Sequence, residues 1–475
     1  MSSSTGAAGT NTDEHDDSRG SFRVDVSPRG INGALREYVG RLRGGDPGGL
    51  PSVLGLLVLG IIFASTTTDF LSRSNIANLP GQASFIALIA LGLVFVLLVG
   101  EIDLSAGTTG GMCAAFAAQS LASKNLHGAI GTLEYVLLIV GMVGAIAIGV
   151  ANRMRTAPAI VLIGLILLLT GAVNHHQPMA FLFAVSVGVA VGTFSGVLVT
   201  RLGIPSFIVT LALFLAWEGV ELYALKNQSV GTTNFNIWFD LTHGTMSVWA
   251  GWLFFAVIAG GYLALTFVRA QLRRRAGLSS DTLALTLLRA GAVIVLGGAV
   301  TYFLNENRSQ SSLVKIQGVP WAASIPVAFM VLWTLILSKT TWGRHLYAIG
   351  GNIEAARRAG IRVEQVKISA FAICSGMAAV GGLFLADFSG GATTGLGQGD
   401  ILLFAVAAAV IGGTSLFGGR GKPRDAIIGA LVIATIPNGI HLHNFPEQAN
   451  EVITGVVLLL AASVDAISRR RAKAR

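Results

Sequence analysis

Charge is scarce in this sequence. Only 12% of its 475 residues are Asp, Glu, Lys or Arg, against roughly 25% in a typical soluble domain, whereas 53% are hydrophobic. That composition argues against a soluble globular enzyme and for an integral membrane protein. Cysteine is almost missing as well: Cys113 and Cys374 both lie in apolar runs and read as small buried side chains without a disulfide or metal role. The amino-terminal segment has no apolar core of the signal-peptide kind. No G-x-x-x-x-G-K-S/T phosphate loop occurs. The nearest string, LFGGRGKPR, has Leu416 where the first glycine is needed and Pro423 where the Mg-binding hydroxyl is needed. No Ser/His/Asp or Cys/His arrangement is assignable from spacing, so a catalytic site is not expected.

Apolar runs dominate what is present. Candidate spans fall at 51–71, 82–100, 105–123, 133–151, 157–174, 179–200, 206–225, 248–268, 285–304, 321–338, 367–388, 401–417, 425–440 and 451–467. They predict an all-α polytopic membrane protein of about 14 transmembrane helices, within a range of about 10 to 14. The 60 glycines suit such a bundle, because small residues let membrane helices approach closely. Residues 1–46 are polar and predict a disordered cytoplasmic tail, residues 47–468 the transmembrane domain, and 469–475 a basic cytoplasmic tail. With the amino terminus inside, alternation brings NRMR (152–155), RAQLRRR (269–275), 339–367, GRGKPR (419–424) and RRRAKAR (469–475) to the cytoplasm. The alternate links hold only Arg73, Lys124, Lys226, Arg308 and Lys315 of the 33 basic residues. That bias is the positive-inside rule, and it predicts both termini inside.

Three groups of polar residues stand out. The link 343–367 writes a short isolated helix: Asn352 as N-cap, Glu354 in the first turn, Arg357 and Arg358 in the last, and Gly360 at the left-handed C-terminal position. Glu354 and Arg358 are spaced to pair across a turn, and Ala355, Ala356 and Ala359 leave its surface small. A helix this short is marginal in water, so the parent bundle or a partner holds it. In LLVGEIDLSAG (97–107) two acids, Glu101 and Asp103, sit between two spans. There Gly100 and Gly107 permit a bend near the inner face, and Asp103 either caps the next helix at Ser105 or Ala106 or contacts solute. Glu101 serves either as a polar link to a neighbouring segment or in the pathway. Finally, Thr414 and Ser415 with Asn438 either meet a solute's hydroxyls or act as interhelical glue. Trp217, Glu218 and Glu221 read as a solvated outer helix end. His175, His176, His441 and His443 lack acids or thiols at ligand spacing, so no metal site is expected.

YAIGGNIEAARRAGI resembles the cytoplasmic coupling loop of the membrane subunits of ATP-binding-cassette monosaccharide importers, the ribose, galactose and xylose permease family. GEIDLSAG, RLGIPSFIVTL (201–211) and VIGGTSLFGGRG (410–421) resemble three further blocks of that family, in its order, and Glu101 and the additional apolar segments look most like the xylose-type branch. The long polar amino-terminal tail and an extra span near 157–174 depart from the pattern. The resemblance implies a permease subunit that forms the pore, with no cofactor of its own and with ATP and Mg on a separate ATPase partner. Gly351, Asn352, Glu354, Ala355, Ala356, Arg357 and Gly360 would engage that ATPase, an extracytoplasmic sugar-binding protein would deliver the sugar, and a second copy would complete a homodimer in the cell membrane. An ion-coupled secondary transporter using Glu101 and Asp103, or a permease for an amino acid or nucleoside, are the alternative readings.

Overall fold

A computed structural model of the chain describes residues 48–276, 282–309 and 315–443, with scattered positions in 33–40 and 448–459. The helices are α1 (Leu50–Thr66), α2 (Arg73–Leu98), α3 (Ala106–Ser123), the short α4 (Leu126–Ile130), α5 (Thr132–Ala151), α6 (Thr156–Leu169), α7 (Gln177–Thr200), α8 (Ser206–Leu225) and α9 (Asn236–His243). Then follow α10 (Val248–Arg275), α11 (Leu283–Asn305), α12 (Trp321–Lys339), α13 (Thr341–Gly351), α14 (Ile353–Arg358), α15 (Val363–Phe388), α16 (Asp400–Gly412) and α17 (Pro423–Leu442). Nine of these are long and apolar enough to cross a membrane, and α1, α6 and α16 are shorter apolar helices. Thirteen of the expected spans coincide with helices if α3 is included, whose small and polar residues lower its hydropathy. The last expected span, 451–467, falls largely outside the described residues, as do the tails 1–46 and 469–475. The chain is a polytopic helical membrane protein.

Three expected spans are shorter than the apolar runs that suggested them. The run 51–71 stops at Thr66, where Thr67 turns to extended backbone. The run 157–174 breaks at Gly171, whose φ of 73° ends α6 and leads into a 3-10 turn at Ala172–Asn174. The run 401–417 stops at Gly412, because Gly413 takes φ 123° and Leu416 and Phe417 belong to a turn. Hydropathy counts apolar turn residues as span; backbone dihedrals do not.

Helices α2 and α15 form the centre and are buried along most of their length. α7 packs against α15 through Gly188, Gly192 and Gly196, where a methyl group would collide with Ser375, Phe371 and Ile368. This is the small-residue stripe that lets membrane helices touch backbone to backbone and gain dispersion contacts. α3 wedges beside α15, with Gly110 against Ala378 and Gly382. By contrast, α10 and α11 pack on each other, Phe255 against Gly297, and leave long apolar faces exposed to the surroundings.

The links sort to two ends. At one end, Arg201 Nη2 donates to Asn152 Oδ1 at 2.8 Å and Gln365 Nε2 donates to the Asn152 carbonyl at 2.6 Å, so three links rich in arginine meet there. This is the basic end. At the opposite end a two-residue antiparallel ladder pairs β1 (Val230–Gly231) with β2 (Gly391–Ala392), and the Trp238 indole donates to the Leu383 carbonyl at 2.8 Å.

Candidate functional site

The GEIDLS break is built from a helix ending and a helix beginning. Gly100 takes φ 76°, its N–H bonds to the Leu97 carbonyl at 2.9 Å, and the Glu101 N–H bonds to the Val96 carbonyl at 3.1 Å. That pair of bonds is a Schellman ending, which requires a left-handed residue and so favours glycine. Asp103 Oδ1 then accepts from the Ser105 N–H at 3.0 Å and from the Ser105 hydroxyl at 2.7 Å, satisfying an amide at the start of α3. The capping reading of Asp103 agrees with this geometry. Asp103 is fully buried, Oδ2 has no hydrogen bond among the described residues, and the Cys374 thiol faces the carboxyl without meeting hydrogen-bond geometry.

From Glu101, beside Lys367 in the second turn of α15, the chain runs inward to Asp103, beside Cys374, the twelfth of that helix's 26 residues. One expectation for this stretch needs correction. Gly107 is inside α3 and makes no bend; a methyl group there would overlap the Gly397 carbonyl. Its smallness admits the neighbouring chain.

Glu101 reaches across to α15, where Lys367 Nζ donates to Oε1 at 2.5 Å. Their side chains are 16% and 14% exposed. Of the two readings of Glu101, the polar link to a neighbouring segment is the one this contact makes.

The four blocks singled out in the sequence converge here. The Ile102 N–H donates to Ser206 Oγ at 3.2 Å and the Thr210 hydroxyl donates to the Ile102 carbonyl at 3.4 Å, which ties in the 201–211 block. The Gly419 N–H donates to the Leu98 carbonyl at 2.9 Å, and the Tyr347 hydroxyl donates to the Gly421 carbonyl at 2.7 Å. Burial, with the Asp425 charge adding to it, pushes the Tyr347 phenol above its usual value, so it stays a donor. A methyl group at Gly350 would overlap the Leu98 carbonyl and the Gly419 backbone. Residues 98–102, 206–210, 347–350 and 417–421 therefore share one junction at the basic end.

From that junction hangs α14. Asn352 Oδ1 accepts from the Ala355 N–H at 2.9 Å, and a second Schellman ending closes the helix: Gly360 at φ 79°, its N–H to the Arg357 carbonyl at 3.0 Å, and the Ile361 N–H to the Ala356 carbonyl at 3.1 Å. Ala356 is buried; Gly351, Asn352, Glu354, Ala355, Arg357 and Gly360 are exposed. The ion pair is Glu354 with Arg357 at 3.1 Å, three residues apart, and not with Arg358 as the four-residue spacing suggested.

Thr414, Ser415 and Asn438 do not form one site. The first two are buried in the turn after α16 at the basic end, where the Ser415 hydroxyl accepts from the Phe417 N–H at 3.1 Å. Asn438 lies near the far end of α17, exchanging bonds with Asn75 at 2.9 and 2.8 Å and donating to Gln82 at 3.1 Å.

Glu221 was expected at a solvated helix end and is instead fully buried, its Oε1 accepting from the Leu396 N–H at 2.8 Å. The segment it grips, 389–399, is a glycine-rich loop between α15 and α16. Four of its glycines, 390, 395, 397 and 399, have positive φ. The string GGATTGLGQG was the available signal, five glycines with hydroxyls and an amide between two spans.

Known proteins resemble this chain along most of its length. Residues 136–462 match the family described as the permease component of the branched-chain amino acid transport system. The chain belongs to this family of membrane permeases. Family membership makes it a transporter and not an enzyme, and a multi-pass protein of the inner membrane. Among its relatives, the xylose transport system permease protein XylH of Haemophilus influenzae is 34% identical over 430 residues, covering 88% of this chain and 96% of that protein. XylH of Escherichia coli K12 is 29% identical over 424 residues, covering 88% and 92%. The autoinducer 2 import system permease protein LsrC of Salmonella typhi is 26% identical over 408 residues, covering 86% and 82%. No solved structure matches the chain.

Proposed function

We propose that this permease is the pore-forming subunit of an ATP-driven importer for a monosaccharide, xylose or a related pentose or hexose. The observation that carries the reading is α14, a capped and exposed helix seated on the junction that joins the GEIDLS break to the 413–421 turn. A helix of six residues is too short to be stable alone, and its exposed alanines and glycine offer a partner close approach. A separate ATPase, holding ATP and Mg, docks there through Gly351, Asn352, Glu354, Ala355, Arg357 and Gly360, with Ala356 packed behind them. The basic end and both termini then face the cytoplasm, in keeping with the arginine bias. An extracytoplasmic binding protein delivers the sugar at the end bearing β1 and β2, and two copies of the permease enclose the pore.

The test is uptake of labelled D-xylose by cells or vesicles holding the permease with its co-encoded ATPase and binding protein. Uptake should persist under an uncoupler while ATP is maintained and stop when ATP is depleted; the reverse pattern would reject ATP coupling. Competition with ribose, galactose, leucine and autoinducer 2 settles the solute. The likeness to LsrC and the family's description keep the last two as second readings.

A further inference from the structure

The loop 389–399 lies at an unusual depth. Gly107 touches both Gly397 and Leu402, while Gly110, one turn further along α3, touches Ala378 and Gly382 of α15. Residues 397–402 are therefore level with the middle of α15. The rest of α16 agrees: its 13 residues extend about 20 Å, and its last residue, Gly412, meets Asp425 in the first turn of α17 at the basic end. α16 thus reaches only from mid-membrane to the basic end, and the loop folds inward from the other end to meet it.

One side of this loop is sealed. Leu396 and Gly397 are buried against Gly107 and Gly111, and Glu221 fixes the Leu396 N–H from behind, with Oε2 left unpartnered among the described residues. The other side is open and polar: Thr394, Gly399 and Asp400 are exposed and Thr393 and Gln398 are half-buried. Irregular backbone at membrane depth is not tolerated against lipid, because its N–H and C=O groups find no partner in hydrocarbon; it occurs where it is covered by protein or lines water. A carboxylate in a membrane likewise faces the bundle interior or an aqueous cavity.

We infer that the open face of Thr394, Gln398 and Asp400 lines the aqueous path at mid-membrane and offers its hydroxyl, amide and carboxylate to a polyhydroxylated solute, with Glu221 as the positioning residue that holds this face in place. The solute class rests on the sugar-import reading; the aqueous lining does not. An amide and a carboxylate at this level suit an aldose, whose hydroxyls both donate and accept.

The experiment is thiol labelling in membrane vesicles of the assembled transporter. The native Cys113 and Cys374 are buried and provide the unlabelled background. Thr394→Cys, Gln398→Cys and Asp400→Cys are compared with Val257→Cys on the exposed apolar face of α10, using a charged, membrane-impermeant methanethiosulfonate. The three loop positions should react about tenfold or more faster than position 257, since the hydrated thiolate is the nucleophile that attacks the reagent's sulfur and displaces methanesulfinate, and D-xylose with the binding protein should slow them severalfold. Equal, slow labelling at all four positions overturns the aqueous lining. Spontaneous disulfides between copies at position 394 or 400, without labelling, show a closed subunit interface and overturn it too. Fast labelling unaffected by any imported sugar overturns the solute contact alone. Glu221→Gln and Glu221→Leu separate positioning from bulk folding: Gln should leave labelling at 398 unchanged, whereas Leu should alter it while protein yield and labelling at 257 hold. No change with Leu overturns the role of Glu221.

Discussion

Lys367 Nζ and Glu101 Oε1 stand 2.5 Å apart, joining the break after α2 to the second turn of α15, with both side chains largely shielded from solvent. Removing one member leaves the other charge without its partner in a poorly hydrated place, whereas removing both removes the problem. Lys367→Met should therefore lower the Tm of the solubilised protein more than the Glu101→Gln, Lys367→Met pair does. A coupling of about 1 to 3 kcal/mol is expected from the double-mutant cycle. Strict additivity in that cycle would show the contact to be energetically idle.

Asp103 contributes through one oxygen. Asp103→Asn keeps an acceptor for the Ser105 N–H and hydroxyl and should preserve insertion and uptake. Asp103→Leu loses the cap, worth about 0.5 to 2 kcal/mol, and should reduce the yield of folded protein. Loss of transport in a well-folded Asn variant would instead mean that the charge itself is used.

Small side chains at the contact of α3 with the 389–399 loop are a steric requirement. Gly107→Ala and Gly111→Ala place a methyl group onto backbone carbonyls of Gly397 and Leu396, and overpacking of this kind costs about 1 to 3 kcal/mol. Gly260→Ala, with nothing near it, should be neutral or slightly stabilising through helix propensity. Thermal melts of the three variants in one detergent compare them; equal Tm values would refute the tight contact.

The α14 helix allows stability and coupling to be told apart. Glu354 is exposed and its pair with Arg357 lies on the surface, where such pairs contribute about 0 to 1 kcal/mol. Glu354→Ala should leave the Tm nearly unchanged while weakening co-purification of the ATPase and slowing uptake. Asn352→Ala should lower the Tm as well as weaken co-purification and uptake, since its cap on Ala355 is lost. If Glu354→Ala copurifies the ATPase as well as the unaltered protein and imports normally, the docking role of this face fails.

Much of this architecture was legible because membrane helices announce themselves by length and hydropathy, and because caps are local. Asn352 and Gly360 wrote α14 within nine positions, and Gly100 wrote the end of α2 in one. What escaped depends on distant partners. Glu221 looks like a wet helix end until the Leu396 amide, 175 residues away, arrives to bury it. The inner level of the 389–399 loop is invisible to hydropathy, since glycine and leucine in a loop score like glycine and leucine in a span. The Glu354 partner was misjudged by one residue, a matter of rotamer that spacing alone does not fix. Asn438 and the Thr414 turn share a chemistry and not a location.

The junction around Gly350 has a mechanical consequence. Leu98, Gly350 and Gly419 meet through main-chain atoms, and a side chain that could swivel to absorb a displacement is missing from that contact. Such a joint has the build of a knuckle and not of a spring: on the proposed docking of a partner at α14, a push on that helix should carry the end of α2 and the turn before α17 with it. Stiffness at this one point would let a tug at the surface arrive undiminished deep among the helices.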